Sequence, residues 1–301
     1  MAFYLGIDGG GTKTKFLLGN EQQILAEATT AGSNILRSGE TPVRKALLAG
    51  LSEVCATAGI QTSDIGRVVA GIAGSSNHEA RASLLAMLRQ QISGDVAIVG
   101  DMVIAHHAAL AGNPGVLVNS GTGSIAYGRN PVNQTARAGG WGFAISDEGS
   151  GHWIGRAAIA VALRRYDAQK EDDGFLHHLV AAVGASDPEA LAQFANSTAN
   201  PDFARAFPAV LSLAEHGDVT AKEILKRAGE ELAELCHTVI GRLFNSEAEV
   251  PVAATGGIFR SSRLVFETFS SALHTRHSGA LVSLSDADPA MGALMLARQH
   301  A

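Results

Sequence analysis

Short apolar runs followed by glycine recur along the chain, and the first pair predicts a β-hairpin. The run Phe3–Ile7 ends in Asp8, three glycines and a threonine, and a second apolar segment, Phe16–Leu18, begins soon after. Apolar runs of this length bounded by glycine are typical of buried strands, and the short join between them predicts a tight turn. A third strand is predicted over residues 24–30.

Residues 115–128 repeat this arrangement. An apolar run leads into Gly121-Thr122-Gly123, and the short segment that follows ends at Asn130-Pro131. That segment is too short for the helix that a dinucleotide-binding fingerprint must open. Two glycine hairpins in one chain predict duplicated domains that face each other across a nucleotide.

Periodic apolar positions predict alternating helices and strands over the rest of the chain. In the first part we predict a polar loop at 31–39 and then a helix capped by Thr41 and closed by Gly59. Further predicted elements are strand 68–73, helix 78–92, strand 96–99 and helix 102–110. In the second part we predict helices 152–168, 172–183, 187–197, 203–216 and 219–244, strand 252–255, helix 261–272, strand 280–284 and helix 289–298. This alternation predicts an α/β fold.

Composition and charge narrow the range of partners. A chain of 301 residues favours about two domains, and 46% apolar with 17% charged residues is ample for buried cores. The net charge is −6 and the basic residues are scattered. Because a nucleic-acid surface needs clustered positive charge, we expect no nucleic-acid partner.

Cysteine usage and the N-terminal sequence bear on the compartment. Cys55 and Cys236 are isolated, which indicates a reducing compartment without disulfide, zinc or iron–sulfur ligation. The N-terminus lacks the basic region of a signal peptide, and no stretch approaches the roughly 18 apolar residues of a membrane span. These features predict a cytoplasmic protein that does not bind a membrane.

The glycines of the first hairpin predict a phosphate site. Gly9, Gly10 and Gly11 lack a Cβ atom, so the backbone can take positive φ and come close to a ligand. Successive N–H groups in such a turn form a concave anion site. Asp8 can face an anion only through a cation and is predicted to anchor Mg²⁺. A Walker A loop is excluded because Thr12 stands where the lysine belongs. A plain glycine turn remains the alternative.

Two polar residues at predicted strand ends are candidates for substrate chemistry. Asp101 precedes a predicted helix at the sheet edge where α/β proteins bind ligands. Aspartate is also a preferred N-cap. Capping and the helix dipole would keep this carboxylate ionised, which suits a base in phosphoryl transfer. Asn34, in the polar loop 31–39, is explained equally well as a ligand contact or a turn former.

Residues 138–151 combine an aromatic ring, several glycines and two carboxylates. Trp141 can stack on the apolar face of a sugar ring, while Asp147 accepts hydrogen bonds from its hydroxyls. The alternative is a helix entry in which the acids complement the N-terminal dipole of helix 152–168, and the two roles are compatible. Gly256-Gly257, between a strand and a helix, admits close approach of an adenine or ribose.

In this order the motifs resemble the actin/hexokinase superfamily of ATP-binding proteins. The resemblance is strongest to eukaryotic-type N-acetylglucosamine kinases, within the BadF-BadG-BcrA-BcrD ATPase group that includes the 2-hydroxyacyl-CoA dehydratase activators. It runs from residue 5 to residue 294. The stretches that carry it are Asp8–Thr12, Ser120–Ser124, Gly139–Gly142, Asp147–Gly151 and Gly256-Gly257.

This resemblance implies an α/β fold of two ribonuclease-H-like (actin-like ATPase) domains with a central cleft. The first would comprise residues 1–112 with the C-terminal helix 287–301, on the sugar and phosphate side. The second would be residues 113–286, on the nucleotide side, with a helical insertion. ATP and Mg²⁺ are the implied cofactors, an amino sugar phosphorylated at its 6-hydroxyl is the implied substrate, and we expect a homodimer.

The resemblance also assigns roles to individual residues. Asp101 would be the general base and Asp8 the metal anchor. The implied ATP contacts are Gly9, Gly10, Gly11, Thr12, Lys13, Gly121, Thr122, Gly123, Gly256 and Gly257. The implied sugar contacts are Asn34, Asp101, Thr122, Gly140, Trp141 and Asp147.

The sequence leaves alternatives open for the substrate and for the functional class of the protein. Ala73 stands where N-acetylglucosamine kinase carries serine and matches bacterial glucosamine kinases, whereas the segments around Trp141 and Asp147 favour the acetylated sugar. Acetylation of the amine therefore stays open, with the acetylated sugar favoured. A second class is an ATPase that activates a redox partner, but neither cysteine lies beside a glycine loop. A third class is a sugar sensor that binds without turnover. The presence of Asp101 argues against this class.

Overall fold

The structure, a computed structural model, describes residues 2–169, 174–196 and 201–299. The chain divides into two compact units. Unit 1 is Met1–Asn113 with Asp286–Ala301, and unit 2 is Pro114–Ser285. Each unit has its own sheet and its own helices.

The described residues form strands and helices that we number in chain order. The strands are β1 (Phe3–Gly9), β2 (Lys13–Gly19), β3 (Ile24–Ala31), β4 (Ile65–Ile72), β5 (Asp95–Val99), β6 (Gly115–Ser120), β7 (Ser124–Arg129), β8 (Thr135–Gly139), β9 (Val250–Thr255) and β10 (Ala280–Leu284). The helices are α1 (Ile35–Ser38), α2 (Glu40–Ala58), α3 (His78–Arg89), α4 (Asp101–Ala109), α5 (Gly151–Gln169), α6 (Phe175–Val183), α7 (Pro188–Ala195), α8 (Phe207–Glu215), α9 (Val219–Leu243), α10 (Gly257–Ser261), α11 (Arg263–Arg276) and α12 (Pro289–Arg298).

The two sheets have the same topology. Unit 1 orders its strands β3-β2-β1-β4-β5, and unit 2 orders its strands β8-β7-β6-β9-β10. In each sheet the first three strands form an antiparallel meander, and the remaining strands pair in parallel. The duplication predicted from the two glycine hairpins is therefore present in the strand order itself.

Helices cover both faces of the unit 1 sheet. Because side chains alternate along β1, each residue of this strand can be placed on one of the two faces. Leu5 and Ile7 are fully buried in the core on the α2 and α3 side, whereas Tyr4 packs on the opposite side with α4 and α12. Successive strand residues point to opposite faces. Gly6 and Asp8 therefore lie on the α4 and α12 side.

α12 packs directly onto the backbone of β1 and α4. A Cβ atom on Gly6 would lie 2.3 Å from the backbone N of Leu294, and one on Gly292 would lie 2.0 Å from the carbonyl O of Ile104. These two glycines leave no room for a side chain. The close packing places the start of α12, at Asp288, beside β2, where Lys15 forms an ion pair with it.

The helical body of unit 2 forms one core with its sheet. Helices α5 to α9 supply most of its fully buried aliphatic and aromatic side chains. The stripe predicted on the long helix packs inward, with Leu225, Leu232 and Val239 buried and Leu235 and Leu243 packed against the same core. This helix packs on β6, β7 and β8 and therefore supports the strands of the second glycine hairpin.

Several predicted boundaries are wrong for local reasons. Gly39, not Thr41, is the N-cap of α2, so Thr41-Pro42 lies inside its first turn. The polar loop 31–39 contains the one-turn helix α1, capped by Asn34. By contrast, Gly59 closes α2 in the left-handed conformation, as predicted, with φ 69°.

Other differences concern short elements and the helical body. β8 and α10 were not predicted, because β8 has few buried side chains and α10 is a single short turn. The predicted helix 203–216 is a 3₁₀ turn followed by α8. The first residues of the predicted helix 172–183 and the last of helix 187–197 lie outside the described residues. Over the described ranges, no helix combines the length and apolar character needed to cross a membrane.

Candidate functional site

The first glycine hairpin is held by backbone hydrogen bonds from two neighbouring segments. The N–H of Gly10 donates to the carbonyl of Lys13 at 2.9 Å and closes the turn. The N–H of Ala73, just after β4, donates to the carbonyl of Gly9 at 2.8 Å, and the N–H of Ser33 donates to the carbonyl of Gly10 at 3.0 Å. The hairpin is therefore a fixed part of the sheet edge.

Close packing within unit 1 explains the glycines of the first hairpin. The positive φ that glycine permits is not used at Gly9, Gly10 or Gly11, since none of them lies in the left-handed region. Close packing requires small residues instead: a Cβ atom on Gly9 would lie 2.2 Å from Oγ of Ser33, and one on Gly32 would lie 2.5 Å from the carbonyl O of Gly11. The loop after β3 thus lies directly on the hairpin.

Asp8 is a half-buried carboxylate beside other charges. It pairs across the strands with Lys15 on β2. Burial is the first cause that raises its pKa from 3.8 to about 6, followed by the negative charges of Asp101 and Asp288; Lys13 and Lys15 lower it. Three carboxylates from distant parts of the chain therefore converge at one edge of the unit 1 sheet.

Asp101 is the first residue of α4, directly after β5. Its predicted role as N-cap is wrong: Gly100 takes that position, and Oδ1 of Asp101 accepts the N–H of Met102 at 3.0 Å. The predicted effect on its charge is also reversed, because burial raises its pKa and outweighs the backbone hydrogen bonds that lower it. A half-buried carboxylate with a raised pKa is a better proton acceptor near neutral pH than a capping one.

Sequence reasoning missed the role of Asp288 and Lys15. Nζ of Lys15 lies 2.9 Å from Oδ2 of Asp288 and 3.5 Å from Oε2 of Glu27. The side chain of Asp288 also caps α12 by accepting the N–H of Ala290 at 3.0 Å. An Asp-Pro pair at a helix start was a visible capping signal, but only the packing of α12 brings this residue near Asp8.

The observed contacts of Asn34 support its interpretation as a turn former. Its Oδ1 accepts the N–H of Leu36 at 3.1 Å as the cap of α1. A Cβ atom on Gly74, which has φ 85°, would lie 3.0 Å from the same Oδ1. The side chain is therefore fixed between the loop after β3 and the turn after β4, and its role towards a sugar stays a prediction.

The second hairpin is bound to residues 147–152 by several hydrogen bonds. The hydroxyl of Ser120 donates to the carbonyl of Gly149 at 2.9 Å, and that of Ser124 donates to the carbonyl of Glu148 at 2.6 Å. The N–H of Gly151 donates to the carbonyl of Gly121 at 2.8 Å. The segment predicted as sugar-facing is thus also the support of the hairpin.

Asp147 is buried against this hairpin. It has 8% of its surface exposed and a φ of 67°, uncommon for a residue other than glycine. Its Oδ1 accepts the N–H of Ser124 at 3.3 Å, and a Cβ atom on Gly123 would lie 3.0 Å from Oδ2. Burial raises its pKa, the Ser124 hydrogen bond lowers it and the charge of Glu148 raises it. One carboxylate oxygen is engaged with the hairpin, and contact with a sugar stays a prediction.

Trp141 lies on the surface of unit 2. Its exposed fraction is 66%, and the guanidinium of Arg137 lies 4.1 Å from the centre of its ring. Gly140, with φ 69°, is in the left-handed region that favours glycine, and a Cβ atom there would lie 2.7 Å from Cδ1 of Ile125. An exposed ring on a constrained loop is suited to stacking on a ligand.

Gly256 and Gly257 have different structural reasons. Gly256 has φ 100°, and a Cβ atom there would lie 2.1 Å from the carbonyl O of Ser120 at the end of β6. A Cβ atom on Gly257 would meet no atom within 4 Å. The first glycine lets β9 approach the hairpin, and the second leaves open space at the start of α10.

The raised pKa of Asp8 predicts a pH-dependent gain in stability for the variant Asp8→Asn. Below its ordinary value of 3.8 the carboxyl is protonated in both the folded and unfolded states and contributes nothing; above about 6 it is ionised in both, and the folded state bears the full cost. The variant should therefore have a free energy of unfolding about 1–3 kcal/mol higher than the original protein at about pH 8. The difference should shrink towards zero below about pH 4.

Denaturant titrations at several pH values measure this effect. Mg²⁺ should raise the stability of the original protein, because a cation offsets the charge of Asp8, and should have little effect on Asp8→Asn. A variant that is less stable at every pH would contradict the electrostatic account of this site.

The chain is similar in sequence to one family of ATPases and to two amino-sugar kinases. A sequence profile of the BadF/BadG/BcrA/BcrD ATPase family matches residues 5–297. The chain is 30% identical over 304 residues to the N-acetylmuramic acid/N-acetylglucosamine kinase of Clostridium acetobutylicum, covering 100% of this chain and 99% of that protein. It is 26% identical to the N-acetyl-D-glucosamine kinase of Dictyostelium discoideum, covering 98% and 97%.

A solved structure shows the same fold over nearly the whole chain. It is a protein of Chromobacterium violaceum described as a candidate N-acetylglucosamine kinase, with a TM-score of 0.80, 26% identity and coverage of 98% of this chain and 99% of that one. Together with the duplicated strand order, this likeness confirms the predicted α/β fold class of two actin-like domains.

Proposed function

The chain belongs to the BadF/BadG/BcrA/BcrD ATPase family, and from that premise we propose that it is an ATP-dependent kinase of N-acetylated amino sugars. We take N-acetylglucosamine as the preferred substrate and its 6-hydroxyl as the acceptor. The names of the two similar kinases support the sugar class. The observation that carries the proposal is the convergence of Asp8 and Asp101 at the sheet edge beside the first glycine hairpin.

In this proposal both glycine hairpins bind phosphates of ATP. The first would use the N–H groups around Gly10, Gly11 and Thr12 together with the ammonium of Lys13. The second would use the turn Gly121–Gly123, which residues 147–151 hold in place. Gly256-Gly257 would lie next to the adenosine, where Gly257 leaves space for it.

The residues around Asp8 fit a Mg²⁺ ion. The pKa of Asp8 is raised partly by the charges of two neighbouring carboxylates, and such an excess of negative charge favours a bound cation. Among the residues that the structure describes, no three His, Cys, Asp or Glu side chains converge on a metal position. Mg²⁺ does not need such a set, because it is commonly held by one or two carboxylates, water and the phosphates themselves. The ion would neutralise charge on the phosphates.

Asp101 would accept the proton of the sugar hydroxyl during phosphoryl transfer. Burial raises its pKa, so the carboxylate takes up a proton more readily than an exposed aspartate. Asn34, Thr122, Gly140, Trp141 and Asp147 would bind the sugar. In these roles, Trp141 offers an exposed ring face, while the free oxygen of Asp147 is the one not engaged with Ser124.

An ADP-release assay over a panel of sugars tests the proposed function. The panel is N-acetylglucosamine, N-acetylmuramic acid, glucosamine, N-acetylmannosamine and glucose, each with Mg²⁺ and ATP. We expect the highest kcat/KM for N-acetylglucosamine, with N-acetylmuramic acid second. Preference for glucosamine would favour the alternative suggested by Ala73, and no turnover with any sugar would contradict the proposal.

The activator of a redox partner is the alternative from a different class. Such a function would require cysteines placed to hold a cluster between copies of the chain. Cys55 and Cys236 are both buried free thiols inside helices, and burial raises the pKa of each. Because iron ligation needs an accessible thiolate, neither is suited to that role. Iron in the purified protein would revive this alternative.

Location and assembly remain part of the proposal. We expect a cytoplasmic homodimer that binds a small-molecule amino sugar and neither nucleic acid nor a membrane. Sedimentation velocity over a concentration series would measure the oligomeric state; a monomer at every concentration would contradict the dimer.

A further inference from the structure

The side chain of Arg37 lies against the first glycine hairpin. A Cβ atom on Gly11 would be 3.1 Å from Nη1 of Arg37 and 3.7 Å from its Cδ. The residue belongs to the one-turn helix α1, which follows the loop that packs on the hairpin. No sequence motif singled it out, because its neighbourhood depends on how the loop after β3 folds back over β1 and β2.

Among the residues that the structure describes, no acidic side chain pairs with Arg37. The residue is exposed, and within the described ranges its guanidinium has neither an ion pair nor a hydrogen bond. Lys13, on the same hairpin, adds a second positive charge. A guanidinium beside backbone N–H groups is an arrangement that binds phosphate, because its planar donors match the oxygens of that anion.

We propose that Arg37 binds the terminal phosphate of the nucleotide held at the first hairpin. This rests on the nucleotide site of the proposed function and adds to it a residue outside the predicted set. The bond between the guanidinium and the phosphate would hold the phosphoryl group in place and offset the charge on its oxygens during transfer.

The contrast between two nucleotides separates this role from a structural one. We measure binding of Mg²⁺ with ADP and of Mg²⁺ with the non-hydrolysable analogue AMP-PNP by titration calorimetry, for the original protein and for Arg37→Ala. A contact with the terminal phosphate should weaken AMP-PNP binding by about 10- to 100-fold. ADP binding should change little, because ADP lacks that phosphate.

Two further variants sharpen the comparison. Arg37→Lys keeps the charge and loses the planar donors, so it should recover only part of the AMP-PNP affinity. Arg44→Ala is the matched control, since Arg44 is an arginine of the same unit whose side chain contacts Glu40 and Gln90 instead. It should bind both nucleotides like the original protein. Thermal unfolding of each variant checks that the fold is retained.

The outcomes that would overturn the proposal are distinct. Unchanged AMP-PNP binding, or an equal loss for ADP and AMP-PNP, would contradict a contact with the terminal phosphate. Unchanged AMP-PNP binding with weaker binding of N-acetylglucosamine 6-phosphate would assign Arg37 to the sugar phosphate instead.

Failure of the proposed function is separately visible. A protein that binds AMP-PNP yet phosphorylates no sugar of the panel would refute the kinase assignment. The comparison of Arg37→Ala with Arg44→Ala would still report which phosphate Arg37 contacts.

Discussion

Asp101→Asn is expected to bind ATP and the sugar nearly as well as the original protein while kcat falls by about 10²- to 10⁴-fold. The asparagine has almost the same shape and keeps an oxygen for the N–H of Met102, which Oδ1 of Asp101 accepts at 3.0 Å. It cannot take the proton from the acceptor hydroxyl. Binding therefore survives and turnover does not.

Steady-state kinetics and calorimetric titration measure the two effects separately. Asp95→Asn is a suitable control, because it removes an aspartate at the opposite end of β5 whose side chain is 61% exposed. It should leave kcat unchanged. An Asp101→Asn variant that retains turnover would exclude this residue as the base, and one that loses ATP binding would assign it a different role.

The pH profile of the original protein gives a second test of the same residue. Burial raises the pKa of Asp101, and only the ionised carboxylate can accept a proton. kcat should therefore fall as the pH drops through this raised pKa. The residual turnover of Asp101→Asn should lack that dependence.

The second large effect is expected for Gly256→Ala. Its φ of 100° is unfavourable for any residue with a side chain, and the added Cβ atom would lie 2.1 Å from the backbone carbonyl of Ser120. Left-handed strain and backbone overlap together predict a loss of about 2–4 kcal/mol in the free energy of unfolding. β9 and the second hairpin must also move apart, so affinity for ATP should fall.

Gly257→Ala is the matched control from the adjacent position. Its Cβ atom would meet no atom within 4 Å, and alanine is well accepted in a helix, so stability should be retained or slightly improved. KM for ATP should nevertheless rise several-fold if the adenosine occupies the open space there. Denaturant titration and ATP kinetics on both variants separate the effects; equal stability of the two would contradict the packing argument.

Local patterns were sufficient for most of the elements. The apolar runs that end at the two glycine hairpins predicted β1, β2, β6 and β7, and the periodic positions of the long helix predicted α9. These features depend on residues close together in sequence, where side-chain alternation and helical periodicity apply directly. The helix ends were less predictable, because Gly39 and Gly100 became caps in place of Thr41 and Asp101.

The sequence by itself determined that the chain has two glycine hairpins, an aspartate at the end of the first strand and another after the fifth. Only the tertiary structure decided what surrounds them. Packing of α12 on Gly6 brings Asp288 to Lys15 and Asp8, and the fold of α1 places Arg37 beside Gly11. Charge and burial act through space, so the pKa values of Asp8 and Asp101 depend on contacts between distant segments that no local pattern contains.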